Sequence, residues 1–339
     1  MKNNTYQEQF SSWAGLFALS LRLVIGWTYF SAFWRRVVLE DKLSPEVAGY
    51  VGEKFNHFLP NALGIKPLIE YLVSNPDKLE FAMIAFTIVE AIVGLFIMLG
   101  LFTRLMSIGV FSLAMGILLG SGWLGTTCLD EWQIGVLGLA GGFTIFLTGG
   151  GFYSLDDFLM RKNYAFTSKK WFNYLGSGVL TIKQLKPLVL IFSLFIFVVT
   201  LFTNQYFHGG LFGKLHNKSV KPKVEISNVI LADNELTFEV FRVEGADVYG
   251  SFLIEVQILN EKGEVSKSWN MSYLSKFPQE KINNHYVAKV KPGKHSLILP
   301  LGAKADLSVS LEGLPKSEIK TLKLIDISGA EWIAEIHRK

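Results

Sequence analysis

The sequence predicts a membrane α-helical bundle, a four-helix core plus a fifth span, followed by a C-terminal all-β sandwich domain. Three observations predict it. Half of the 339 residues are hydrophobic (50%) and only 18% are charged, with mean hydropathy +0.32, a balance found in membrane proteins. The apolar residues are unevenly placed: long runs reach to about Phe207. Beyond about Lys214 the chain changes to short alternating runs split by Gly, Pro, Asn and Asp, the pattern of a β domain. The expected organisation is a membrane bundle over 1–150, a connection with the fifth span over 151–213, and a β domain over 214–339.

Ser12–Trp34 is the first predicted span, long enough for about 30 Å of hydrocarbon. It contains Arg22, and no small-residue cleavage site follows it, which argues against a cleaved signal. A charge at Arg22 is costly in lipid and must face protein or water. Arg35 and Arg36 follow beside Trp34, as interfacial anchors do. Val37–Asp77, which holds His57, is too long for a plain hairpin. Its apolar stretches, interrupted by Pro60 and Pro67, predict one or two short helices lying on the membrane surface.

Leu79–Leu99 is the second span, with Glu90 near its middle. Leu105–Leu119 is the third, rich in the small residues that let helices approach closely. Trp132–Leu147 is the fourth. The glycines at 141–142 and 149–151 lack a phosphate- or dinucleotide-binding pattern, and suit packing and a helix stop. Phe152–Pro187 is amphipathic and basic, which places it in the cytoplasm by the positive-inside rule. Leu188–Phe207 is the fifth span and carries no charge. Eight strands are expected after it, at Val224–Leu231, Glu235–Val243, Ser251–Leu259, Val265–Leu274, His285–Val290, Ser296–Leu301, Leu307–Leu311 and Thr321–Ile327, with a hairpin turn at Lys262-Gly263.

This topology puts the N-terminus inside and the β domain outside. An outer vestibule then gathers Arg35, Arg36, His57, Cys128, Asp130, Glu131, Trp132, His208 and His216. Its centre is Thr126–Gln133, which joins the only cysteine to two carboxylates and an indole, with no Lys or Arg from Leu105 to Met160. Those residue types suit sulfur and acid–base chemistry; a polar connection with a buried cysteine and an interfacial Trp is the competing reading. Arg22 and Glu90 both come out near mid-membrane in antiparallel spans, so an intramembrane ion pair is expected between them. The net charge of +4 is evenly spread over the chain, and no basic patch suggests nucleic acid. One cysteine excludes an internal disulfide and a Cys-only metal site. No dinucleotide fingerprint or iron–sulfur cysteine cluster marks a flavin or bound metal.

Several motifs resemble a known family. Arg22-Leu-Val-Ile-Gly26, Glu90-Ala-Ile-Val-Gly94 and Leu99-Gly-Leu-Phe-Thr-Arg104 are similar to segments of DoxX-like membrane proteins. Lys54-Phe-Asn-His-Phe-Leu-Pro60 with Thr127-Cys-Leu-Asp-Glu-Trp-Gln133 resembles DoxD, the membrane subunit of thiosulfate:quinone oxidoreductase. Gly213-Lys-Leu-His-Asn217 and the β domain resemble DoxA, the smaller subunit, joined here in one chain. The resemblance implies oxidation of thiosulfate to tetrathionate with membrane quinone as electron acceptor.

Within that reading Cys128, Asp130 and Glu131 are the catalytic candidates. Arg35, Arg36, His57, Trp132 and His216 are the substrate-binding ones, although headgroup anchoring by an arginine remains open. Glu90 has a second reading as proton carrier for quinone. A homo-oligomer is left open. The alternative class is a non-enzymatic membrane scaffold whose β domain binds a partner protein.

Overall fold

The computed structural model describes residues 13–125, 130–245 and 252–338. In chain order the α-helices are α1 (Leu19–Phe33), α2 (Val51–Asn56), α3 (Lys66–Val73), α4 (Pro76–Leu99), α5 (Thr103–Ser121), α6 (Asp130–Thr148), α7 (Leu155–Arg161), α8 (Lys170–Leu175), α9 (Ile182–His208) and α10 (Met271–Leu274). The strands are β1 (Lys223–Ala232), β2 (Glu235–Glu244), β3 (Phe252–Leu259), β4 (Val265–Trp269), β5 (Ile282–Asn284), β6 (Lys291–Pro292), β7 (Leu297–Ile298), β8 (Lys304–Ser310), β9 (Thr321–Asp326), β10 (Glu331–Glu335) and β11 (His337–Arg338). The chain forms two compact units. One comprises Met1–Ala48, Phe81–Gly122 and Leu129–His216; the other Gly49–Glu80, Trp123–Cys128 and Asn217–Lys339.

The first unit is helical. Among the described residues, α4, α5 and α9 are long and apolar enough to cross a membrane. Helices also stand where the first and fourth spans are expected: α1, which continues as a π-helical segment at Trp34–Leu39, and the 19-residue α6. Tyr29 of α1, Val93 and Ile97 of α4, Val110 and Leu113 of α5 and Ile145 of α6 form one buried cluster. Ala114, Leu118, Val136, Leu139, Phe143 and Ile196 form a second, which brings in α9.

Three buried charges pin one end of this bundle. Asp156, fully buried on α7, accepts from the backbone N–H of Phe102 (2.8 Å) and Thr103 (2.9 Å) and from the hydroxyls of Thr103 (2.8 Å) and Ser177 (2.6 Å). A carboxylate here satisfies orphan N–H groups and favours the positive end of α5. Arg104, 1% exposed, donates to the carbonyls of Phe146 (2.9 Å), Gly178 (2.6 Å), Gly176 and Asn173. Arg22 donates to the carbonyls of Gly150 and Tyr153. Each guanidinium spreads its donors over backbone acceptors that a loop at a helix end leaves open.

The second unit is a two-sheet β domain with additions. One sheet runs β11-β1-β2-β8-β5; the other runs β10-β9-β3-β7-β6, with β4 also paired to β3. Leu236, Phe238 and Val240 of β2, Val256 and Ile258 of β3 and Leu322 and Leu324 of β9 share one core, as the inner faces of a sandwich do. The β3–β4 hairpin closes at the expected place, with Gly263 at φ +78°. Elsewhere the strands differ from expectation. Val265–Leu274 divides because Asn270 accepts from the N–H of Ser272 and Tyr273 and starts α10. His285–Val290 is irregular, and the segment Glu331–Glu335, not expected as a strand, pairs with β9.

The short helices expected in Val37–Asp77 form as α2 and α3, and they are tied to the β domain. Asn56, fully buried, donates to Gly302 O (2.7 Å) and accepts from Ala288 N (3.3 Å). Asn61 donates to Val243 O (2.8 Å), Val287 N–H to Val73 O (3.2 Å), and Tyr286 OH to Glu70 (2.8 Å). Leu59, Ile69 and Val73 are fully buried. Hydrogen bonds thus tie α2 and α3 to the β domain, while Leu68 and Tyr71 of α3 stay exposed.

Candidate functional site

Helices α1 and α4 cross in backbone contact. A Cβ added at Gly94 would lie 2.4 Å from Phe30 N and 2.6 Å from Gly26 O, so only glycine fits, as in other small-residue helix crossings. This crossing sets the register. Glu90, one turn before Gly94, faces the part of α1 beyond Phe30. Arg22 lies some ten residues away along α1, about 15 Å.

The expected Arg22–Glu90 pair is therefore not the arrangement found. Arg22 is held by backbone carbonyls, and Glu90 pairs with Arg36. Depth counted from assumed span ends put both residues at one level; the glycine crossing separates them.

Glu90 is 4% exposed. Arg36 Nη1 donates to Glu90 Oε2 and to Thr87 Oγ1 (3.3 Å). Arg36 sits in the π-helical segment Trp34–Leu39, a local widening that turns side chains off the regular helical positions and often occurs at functional sites. The two neighbouring arginines, alike in sequence, separate here. Arg35 remains exposed and its Nε donates to Ser31 O of its own helix (3.2 Å).

One aromatic ring stands beside the pair, and others follow along α1. Arg36 Cζ lies 6.0 Å from the Phe86 ring centre. Phe30 has the rings of Trp27, Phe33 and Trp34 around it, with centres 5.7–6.1 Å away. Trp27, Trp34 and Phe86 are exposed on the helix surface. Tyr29 is buried and within electrostatic reach of Glu90. The pair joins a buried carboxylate to a charge-assisted donor. Sequence reasoning missed Thr87 and Tyr29. Thr87 could have been found, since it stands three residues before Glu90 on the same helix face.

The described residues on either side of the acidic turn in sequence have partners of their own. Cys128 lies outside the described residues, as does the side chain of Asp130, which opens α6. Glu131 is half-buried in the first turn of α6. Trp132 Nε1 donates to Thr203 Oγ1 of α9 (2.9 Å), which fixes the indole by a hydrogen bond rather than leaving it as an interfacial anchor alone. His208 Nε2 donates to Gly122 O (3.0 Å), and His216 N–H donates to His208 O (3.1 Å). A carbonyl only accepts, so Nε2 of His208 carries a proton.

In the other unit, Asn217 Nδ2 donates to Gly125 O (2.8 Å), and Ser219 Oγ accepts from Gly125 N–H (2.8 Å). Asn217 and Ser219 thus hold the segment that leads into Thr126–Gln133. His57 follows α2 in the second unit, where its N–H donates to Lys54 O (3.1 Å); Arg35, Arg36, Glu131, Trp132, His208 and His216 belong to the first.

Among the described residues, one group has metal-ligand character: Glu239, His285 and Asp306, with ligand atoms within 4.8 Å of one another. Glu239 is already engaged by Lys304 (3.1 Å) and Ser227 (2.7 Å), and His285 by Asp306 (2.8 Å). These pairings account for the cluster without an ion.

The chain matches two family models in succession. Residues 17–191 match "TQO small subunit DoxD" and residues 207–335 match "TQO small subunit DoxA", TQO being thiosulfate:quinone oxidoreductase. No solved structure matches it. The DoxD match alone covers over half of the chain and stops short of the β domain, where the DoxA match takes over. The chain therefore belongs to the DoxD and DoxA families of thiosulfate:quinone oxidoreductase small subunits, as a fusion of the two.

Proposed function

We propose that the chain oxidises thiosulfate to tetrathionate and passes the electrons to membrane quinone. The observation that carries this reading is the Arg36–Glu90 pair, in which the buried Glu90 of α4 meets a partly exposed arginine of the π-helical segment beside Phe86. Quinone reduction consumes two electrons and two protons. A buried carboxylate can relay those protons, and a guanidinium can donate to a quinone carbonyl. An intramembrane ionisable residue is a functional candidate in its own right.

On the sulfur side the proposal keeps Cys128 as sulfur carrier. The Cys128 thiolate and the sulfane sulfur of one thiosulfate join in an S–S bond, and the two electrons released go to quinone with two protons. The sulfane sulfur of a second thiosulfate attacks the sulfane sulfur of the first. The Cys128–sulfur bond breaks, tetrathionate leaves and the thiolate is restored. Asp130 and Glu131 handle protons in this scheme. Arg35, Arg36, His57, Trp132 and His216 contact substrate. The chain has five spans with the N-terminus inside and the β domain outside.

The test is thiosulfate-dependent quinone reduction by the purified chain in quinone-loaded vesicles. Tetrathionate and quinol should form in equal amounts. Cys128→Ser should abolish tetrathionate while the protein still inserts. Near-normal turnover in that variant would remove Cys128 from the chemistry and leave direct addition of the sulfane sulfur to quinone. No thiosulfate-dependent reduction by the wild type would overturn the enzymatic reading in favour of a membrane scaffold whose β domain binds a partner.

A further inference from the structure

The stretch Arg161–Lys186 carries six cations, Arg161, Lys162, Lys169, Lys170, Lys183 and Lys186, and no carboxylate. The two acids just before it are occupied. Asp156 is fully buried against the start of α5, and Asp157 pairs with Arg161. The five lysines are exposed. Such a one-signed field, besides holding the connection in the cytoplasm, draws anions to the surface that carries it.

Its position is fixed by the bundle. Asp156 caps α5, Arg104 of α5 holds the carbonyls of Asn173, Gly176 and Gly178, and Gln184 of α9 donates to Tyr174 OH (2.7 Å). The segment is thus tied to the ends of two helices that are long and apolar enough to cross a membrane, which sets it at headgroup level.

Its rings suit that level. Phe172 is fully buried beneath Phe102, Phe166 and Trp171, with ring centres 5.7–6.3 Å away. Trp171 and Tyr174 are 43% and 49% exposed. Amphipathic rings with lysines beside them are the composition of a membrane interface.

We infer that the Phe152–Lys186 connection is a binding surface for anionic phospholipid headgroups. Lys162, Lys169 and Lys170 meet the lipid phosphates while Trp171 and Tyr174 enter the acyl boundary. Lysine is suited to phosphate as a point charge on a flexible stem, and clusters of this size beside a membrane helix recognise anionic lipid.

The full chain is released from mixed vesicles of phosphatidylglycerol and phosphatidylcholine, and the lipid it retains is counted by native mass spectrometry. The wild type should retain phosphatidylglycerol in excess by at least about tenfold, given the roughly fivefold that each surface lysine contributes. K162Q/K169Q/K170Q should bring retention close to parity, and K162R/K169R/K170R should keep the excess. Parity in the wild type would overturn the inference. So would an equal loss in K289Q/K291Q/K294Q of the β domain, which would reduce the effect to net charge. Displacement of the lipid by inorganic phosphate would overturn it as well, as the mark of a soluble-anion site.

Discussion

Breaking the Arg36–Glu90 pair should have unequal consequences from its two sides. Glu90→Gln leaves the Arg36 guanidinium without its carboxylate. Removing one partner of a buried pair costs about 3–5 kcal/mol. Glu90 is 4% exposed, but the Arg36 side chain is 22% exposed, so its head can partly swing toward the interface. The cost should therefore fall at the low end, about 3 kcal/mol. Arg36→Gln strands a carboxylate instead. A carboxylate can neutralise itself by taking a proton, which a guanidinium cannot match by losing one, and that should hold the cost to about 1–2 kcal/mol.

Arg36→Gln/Glu90→Gln removes both charges, so the double variant should lose only about 1–2 kcal/mol, a coupling of about 2–4 kcal/mol. The assay is a double-mutant cycle on unfolding in mixed micelles, followed by tryptophan fluorescence. A coupling below about 0.5 kcal/mol would refute the pair as a stabilising unit. Quinone reduction separates structure from chemistry. Both variants lacking Glu90 should lose about 10²–10⁴-fold in rate. Recovery of activity in the stable double variant would refute Glu90 as the proton carrier.

Arg104→Met should destabilise the bundle by at least about 3 kcal/mol, because four carbonyls lose charge-assisted donors at once; an unfolding midpoint equal to wild type would contradict its anchoring role. Tyr286 has its phenol pushed above the usual range near ~10 by burial and by the Glu70 carboxylate that accepts its hydrogen bond. A raised folded value means stability that is fully present below pH ~10 and lost as pH rises above it. Tyr286→Phe should lower stability at neutral pH and flatten that alkaline decline; an unchanged slope between pH 9 and 11 (approximate limits around the reference phenol) would contradict this. A reporter fused after Lys339 should be active outside the cytoplasm, and activity confined to the cytoplasm would reverse the proposed topology.

Class and order of elements were legible because their signals are local. Apolar runs of membrane length marked the segments that became α4, α5 and α9, and alternation marked β1, β2, β3 and β9. The motifs around Thr127–Gln133 and His216-Asn217 pointed to DoxD and DoxA because short sequence patterns survive without any knowledge of shape. Partnership was not legible. Arg22, Arg35, Arg36, Arg104 and Glu90 read alike as charges in or beside apolar helices. Which of them pair was decided by the contact of Gly26 with Gly94, by the π-helical segment that carries Arg36, and by loop carbonyls brought to Arg22 and Arg104. The destination of α2 and α3 was likewise decided by Asn56 and Asn61 finding backbone partners in the β domain. Hydropathy is a property of a segment, so sequence determines it. Register, crossing and hydrogen-bond closure depend on two distant segments meeting, and only the tertiary structure decides them.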